Sequence, residues 1–343
     1  MGTMTTTRKV IIFLGSLFAA GLVLLGAGAF FYGPTLTAMT TGTARFMGTD
    51  SPKRYTTTVL NLAAQGIYSD SPEFEAAASH AKAVAEDADS LDDVRPALAD
   101  AVRSAGGKHS RLIPPNEQRE NSEEGSTEGA SSPGSTVVQK GGVAFATVPA
   151  VGRHDDVQGY ADSLANGLTA ARDTGACGAL VDLRGNNGGD MGPMLAGLTP
   201  LLPDGTALEF VFSGRANPVI IDGNSVKGGG TPLETSGGKW DPQAPVAVLV
   251  DEETASSGEA VMLAFRGLDN SRSFGTPTAG YASANSVYDF PDGSELMLTI
   301  AQDRDRNGRV YAEEPIEPDV NTVSGDTAVV EAQEWLRDEH GCQ

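Results

Sequence analysis

The sequence predicts an α/β layered core, preceded by a small N-terminal helical region and one transmembrane helix. Three observations predict it. Short apolar runs alternate with helical stretches from residue 137 onward, the pattern of a sheet buried between helices. The stretch 52–105 is rich in Ala, Asp and Leu at helical spacing. An uncharged apolar run extends from Val10 to Tyr32.

That run comes first along the chain. As a helix, its 23 residues span about 34 Å, enough to cross a bilayer core of about 30 Å. It is longer than the hydrophobic region of a signal peptide, and no A-x-A cleavage site follows it, so an anchor is expected rather than a cleaved leader. Arg8 and Lys9 precede it, which places residues 1–9 in the cytoplasm and everything after Tyr32 outside. The expected location is the cell membrane, single-pass, with the C-terminal part extracytoplasmic. Residues 33–51, rich in Thr and Gly, read as a stalk.

Residues 52–111 form the expected helical region. Pro72 followed by E-F-E-A-A-A-S-H opens a helix with acidic residues in its first turn, and Leu91 to Ser104 reads as another. Residues 112–136 include N-E-Q-R-E-N-S-E-E-G-S-T-E-G, with almost no apolar side chains, and read as a flexible linker. The remainder, 137–343, is the expected core. Gly142 to Pro149, Gly178 to Leu183 and Ala244 to Val250 are strand candidates; Val157 to Arg172 and Gly258 to Gly267 are helix candidates.

With 40% hydrophobic and 20% charged residues, the 343-residue chain has the composition of a folded protein. Its formal charge of -21 argues against nucleic acid, which requires clustered cations. Such a surface attracts cationic peptides, although the same charge also serves solubility alone. Cys177 and Cys342 make no metal motif, and no His, Cys and carboxylate cluster has ligand spacing, so no metal and no cofactor are expected. Cys177, in A-C-G-A-L-V, reads as a small core residue; a Cys177–Cys342 bridge in an oxidising compartment stays open.

Two strand-to-turn segments have the shape that places chemistry at the carboxyl end of a sheet. In Val181 to Asp190 (V-D-L-R-G-N-N-G-G-D), the glycines permit positive φ and close approach of backbone N–H groups to an anion. It is neither a Walker A loop nor a dinucleotide fingerprint. In Val248 to Val261 (V-L-V-D-E-E-T-A-S-S-G-E-A-V), a strand enters a tight turn and then a helix, so a serine there sits at a helix N-terminus that favours negative charge. Plain N-capping by Thr254 or Ser256 explains the same pattern. A hydroxyl needs a base to become a nucleophile. Of His80, His109, His154 and His340, His109 follows two helix-breaking glycines in A-G-G-K-H-S-R and is best placed to face a cleft.

Taken together, V-D-L-R-G-N-N-G-G, T-A-S-S-G-E and the later Y-A-E-E-P-I-E-P-D-V resemble the tail-specific, or C-terminal processing, serine peptidases over roughly residues 137–336. The resemblance implies a layered core of the ClpP/crotonase-like superfamily and makes Ser256 the nucleophile. Members usually carry a lysine base inside F-G-K-G; here the matching segment is T-A-G-Y-A-S, with Tyr281 in its place. A phenol is a poor base at neutral pH. The branch that resembles this chain most is the nisin-resistance proteins, which lack a PDZ module and pair the serine with a histidine in G-G-K-H-S, here Gly106 to Ser110. The resemblance therefore implies His109 as base.

The implied reaction is attack of Ser256 Oγ on a peptide carbonyl while His109 moves the proton. The N–H groups of Ser257, Gly188 and Gly189 are the expected oxyanion donors, each worth roughly 3–4 kcal/mol in the transition state. Glu259 is expected either to orient His109 or to favour the helix N-terminus, and Arg184 and Asn187 to hold the turn. The expected substrate is a peptide, such as a cationic lantibiotic. A general envelope peptidase, a catalytically inactive peptide-binding relative and an ordinary α/β esterase are the alternatives.

Overall fold

The computed structural model describes residues 14, 26–48, 50–115, 134–152, 155–212 and 214–342. The expected span 10–32 lies mostly outside them; residues 26–32 are described and belong to a helical segment, 26–41. Among the described residues no helix is long and apolar enough to cross a membrane. Most of the expected linker, 116–133, and His154 also lie outside them.

The chain divides into two compact units: residues 1–121 with 286–298, and residues 122–285 with 299–343. The first is mainly helical. Helix α1 (Pro52–Ala63) begins where Ser51 Oγ accepts the Arg54 N–H, and proline at N1 presets the first turn. Helix α2 (Pro72–Asp87) starts the same way at Ser71, with Glu73 and Glu75 against the positive end of its dipole. In α3 (Leu91–Gly106), the Asp93 carboxylate accepts the Ser90 N–H at 2.8 Å, and Gly107 at φ 79 ends the helix. Val94, Leu98, Ala101, Val102 and Ala105 form its buried stripe. His80 is exposed on α2.

The sequence placed everything after residue 137 in one core, yet 286–298 joins the helical unit. The cause is pairing. Strand β1 (Arg111–Ile113) runs antiparallel to Glu295–Met297. Tyr55 packs on the Phe290 ring at 5.0 Å and bonds Ser294 Oγ at 2.7 Å, and Arg95 pairs with Asp292 at 2.6 Å. These partners lie more than 180 residues apart, so no local pattern announces them.

The second unit is mixed α/β. Strands β2 (Thr136–Lys140) and β3 (Val143–Thr147) form an antiparallel pair at one edge. Parallel to β3 follow β4 (Gly178–Asp182), β9 (Val246–Val250), β10 (Ser271–Gly275) and β14 (Val320–Asn321), in that spatial order. Period-two alternation sorts their side chains. Ala179, Val181, Val246, Val248 and Val250 join the core formed with α4 (Val157–Asp173), α5 (Met191–Leu198) and α6 (Ser257–Phe265). Leu180, Ala247, Leu249 and Phe274 face Ala328, Ala332, Trp335 and Leu336 of α7 (Gly325–Asp338). A sheet covered on both faces explains why β4 and β9 read as unbroken apolar runs.

Between α5 and β9 lies a meander that the sequence left unassigned: β5 (Gly205–Phe212), β6 (Arg215–Asp222), β7 (Ser225–Lys227) and β8 (Leu233–Glu234). Its Leu208, Val219, Ile221 and Val226 complete the larger core. The segment 302–304 of β12 (Glu295–Arg304) pairs with β5, and β11 (Ser283–Asp289) and β13 (Val310–Tyr311) also pair with β12.

Cys177 and Cys342 are joined in a disulfide, with Cα atoms 5.6 Å apart. Cys177 is not the core residue its apolar neighbours suggested: it is exposed on the connection into β4, while Cys342 is buried beyond α7.

Candidate active site

The two turns singled out in the sequence leave adjacent parallel strands, β4 and β9, at their carboxyl ends. Backbone and side-chain bonds interlock them. Leu183 N–H donates to Leu249 O at 2.9 Å, and Thr254 Oγ1 returns a bond to Leu183 O at 2.9 Å. The Asp251 carboxylate accepts from Gly185 N–H and Thr254 N–H, each at 3.0 Å. Ala255 N–H donates to Asn186 O at 2.9 Å, and Asn186 Nδ2 reaches Val148 O at 2.7 Å. Gly258 lets α6 approach closely, since a Cβ there would stand 2.6 Å from Asn186 O.

On this frame Ser256 adopts φ 52, ψ -118, and is the one non-glycine residue with positive φ among the described residues. An L-residue held there costs about 1–3 kcal/mol and persists only when its surroundings enforce it. Ser256 is the N-cap residue of α6 and forms a capping box with Glu259, but it does so at φ 52 and not with the extended backbone that an N-cap ordinarily adopts. Capping alone therefore does not account for that backbone. Thr254 does not cap α6, since its hydroxyl serves Leu183 O and Asp251.

Glu259, fully buried, holds the strained residue. Its carboxylate accepts the Ser256 N–H at 2.9 Å, the Gly280 N–H at 2.9 Å, the Tyr281 N–H at 2.6 Å and the Thr278 hydroxyl at 2.5 Å. Burial pushes its pKa above the usual carboxylate value, and these four donors pull it part of the way back. Asp303, also buried and with Oδ1 lacking a partner among the described residues, lies well above the usual carboxylate range, through burial first and then the charge of Glu259. Tyr281 thus meets the site through its main chain.

The glycine turn abuts the serine. A Cβ on Gly188 would lie 2.9 Å from Ser256 Cβ and 3.3 Å from its Oγ, and one on Gly189 would lie 2.2 Å from Val151 O. Both glycines have positive φ, 112 and 107. The Gly188 N–H donates to Asn186 Oδ1 at 3.0 Å, whereas the Gly189 N–H has no acceptor among the described residues. The Ser257 hydroxyl donates to Gly189 O at 2.7 Å. The Ser257 N–H, at the first position of α6, belongs to the helix turn that leaves its donors free.

Ser256, Ser257, Gly188, Gly189 and Glu259 therefore stand together. Arg184 and Asn187 do not join them. Arg184 forks onto Asp182 at 2.8 and 2.6 Å and reaches Gly325 O at 2.9 Å, tying β4 to the start of α7. Asn187 is exposed; its neighbour Asn186, fully buried, makes the bonds that hold the turn. The N-N pair offered no local signal to choose between them. His109 belongs to the helical unit, half-buried on the turn after α3. Burial, then the charges of Arg111 and Lys108, lower its pKa to about 4, so the imidazole is neutral at pH 7.

Comparison with known proteins gives concordant matches. The family model "Peptidase family S41" matches residues 147–322. The chain is 34% identical over 290 residues to a nisin-resistance protein of Lactococcus lactis subsp. lactis, covering 84% of this chain and 87% of that protein. Among solved structures, a lipoprotein from Streptococcus agalactiae superposes with a TM-score of 0.69 at 26% identity, over 86% of this chain and 99% of the other. A photosystem II D1 C-terminal processing protease shares the fold, with a TM-score of 0.56 at 12% identity over 80% of this chain and 94% of the other.

Proposed function

Because the chain belongs to peptidase family S41, and is thus a serine peptidase acting on peptides, we propose that Ser256 is its nucleophile, that His109 is the base, and that the substrate is a cationic lantibiotic of the nisin kind. The observation that carries the reading is the strained backbone of Ser256, set beside two positive-φ glycines at a helix N-terminus. Strain of this kind clusters at reactive residues.

In this reading Ser256 Oγ attacks the scissile carbonyl, and His109 accepts its proton and delivers it to the leaving amine. The Ser257 N–H and an N–H of the glycine turn stabilise the oxyanion. Support for His109 is the G-G-K-H-S segment together with a neutral imidazole, the form a base must have. Support for the substrate is the similarity to a nisin-resistance protein and the formal charge of -21, which attracts a cationic peptide. The mostly parallel sheet between two helical layers favours a ClpP/crotonase-like core.

We also propose that Val10–Tyr32 anchors the chain in the cell membrane with the peptidase outside the cytoplasm. The uncharged run behind Arg8 and Lys9 supports this, as does the Cys177–Cys342 disulfide, which persists in oxidising compartments.

The test incubates the detergent-solubilised chain with nisin and follows fragment masses, beside Ser256→Ala and His109→Ala. Both variants should lose cleavage. Undiminished cleavage by His109→Ala removes that residue from the mechanism. Cleavage of unrelated protein tails, with nisin spared, favours a general envelope peptidase.

A further inference from the structure

We propose that the Ser257 hydroxyl is a positioning group for the oxyanion site: it clamps the glycine turn so that the Gly189 N–H stays aimed at the oxygen developing beside Ser256. The proposal rests on the reading of Ser256 as nucleophile and goes beyond it, because it gives a role to the side chain of Ser257 and selects one donor of the turn.

Glycine is the least restrained residue, and here two stand in succession at φ 112 and 107. A donor carried on such a backbone is useful only if its peptide plane is held. The bonds around it do this from both sides. Before Gly188, the peptide is fixed by its N–H to Asn186 Oδ1 at 3.0 Å. After Gly189, the peptide is fixed twice: the Asp190 N–H donates to Val151 O at 2.7 Å, and Gly189 O accepts from Ser257 Oγ at 2.7 Å. The peptide in between carries the Gly189 N–H, which has no acceptor among the described residues. Two pinned planes thus bracket one plane with a free donor. The Gly188 N–H is already engaged, so it is the weaker candidate for the oxyanion.

Of the two anchors after Gly189, Val151 ties the turn to the body of the sheet. Ser257 alone ties it to the helix that begins beside the nucleophile. One residue then supplies an oxyanion donor through its own N–H and fixes the other through its hydroxyl. That side chain links the two donors directly. Because the clamp sits at the surface end of α6, its loss frees a carbonyl that water can reach, and folding is little affected. The cost falls on the transition state, where a loosened donor no longer meets the new charge.

The test compares wild type, Ser257→Ala and Ser257→Thr in the full chain, with nisin as the probe. Ser257→Ala should lower kcat by about 10- to 100-fold with KM within about twofold. Its affinity for a peptide boronic acid, which mimics the tetrahedral oxyanion, should fall by the same factor. Ser257→Thr, which keeps the hydroxyl, should retain most of both. Wild-type kcat in Ser257→Ala overturns the proposal, and so does a fall in kcat with undiminished boronate affinity. Fluorophosphonate labelling separates the two readings. An adduct on Ser256 with full turnover by Ser257→Ala sinks the clamp alone. Wild-type enzyme that cleaves nisin yet takes the label elsewhere overturns the nucleophile reading and the clamp with it.

Discussion

The Glu259 carboxylate accepts the Ser256 N–H at 2.9 Å across the first turn of α6, and the same carboxylate collects Thr278, Gly280 and Tyr281. One buried side chain therefore joins the strained serine to the segment 278–281. That segment is the one the resemblance aligns with the lysine of other members, and here its Gly280 and Tyr281 N–H groups donate to Glu259.

Glu259→Ala would leave three backbone N–H groups and the buried Thr278 hydroxyl without their acceptor. Such a loss costs roughly 3–5 kcal/mol. The expected outcome is a marked drop in urea midpoint together with near-complete loss of peptidase activity. An unchanged midpoint would show that water replaces the carboxylate at little cost.

Ser256→Gly should do the reverse to stability. Glycine tolerates φ 52, ψ -118 without a Cβ penalty, so the strain of about 1–3 kcal/mol is relieved. Glycine's greater freedom in the unfolded chain offsets up to about 1 kcal/mol of that. The variant should be inactive yet at least as stable as wild type in thermal unfolding. A substantially lowered Tm would mean that the side chain stabilises its own turn.

The pH dependence follows from His109, whose pKa is lowered to about 4 from an ordinary 6.5. As the base it must be neutral, so the acid limb of kcat/KM should have its midpoint near pH 4. The sign for stability agrees. Between those two values the unfolded chain binds more protons than the folded one, so this group lowers stability as pH falls through the window. His109→Gln should flatten that part of the stability curve. An acid limb centred at 6.5 would count against His109 as the base.

Reducing the Cys177–Cys342 bridge opens a loop of 165 residues that encloses most of the α/β unit. Chain entropy assigns such a closure about 5 kcal/mol, and measured values commonly fall to about 2–4 kcal/mol. Thermal melts with and without reductant should differ by several degrees, and Cys342→Ser should match the reduced protein. Coincident melts would show that the bridge constrains the unfolded chain little.

Much of the frame was legible without coordinates. The helices at Pro72 and Leu91, the strands at Gly178 and Val246, and the helix at Ser257 each announce themselves through short-range patterns: an N-cap, an apolar run of strand length, a turn of small residues. The two turns were recognisable because backbone that must approach another backbone closely requires glycine, and Gly188 and Gly189 stand where it does. Ser256 was legible because a strand-turn-helix leaves few positions for an exposed hydroxyl.

What the sequence withheld depends on residues that are distant along the chain and adjacent in space. The choice of Asn186 over Asn187 follows from Val148 and Ala255. Engagement of the Gly188 N–H and freedom of the Gly189 N–H follow from how the turn is pinned by Asn186, Val151 and Ser257. The positive φ of Ser256 needs Glu259 to hold its N–H, and 286–298 joins the helical unit because Leu112 and Tyr55 find partners there. The sequence by itself determined which elements form and where reactive turns begin, since period and propensity act over a few residues. Only the tertiary structure decided which donors are spent and which remain free, because a hydrogen-bonding group is satisfied by whatever the fold brings within about 3 Å of it.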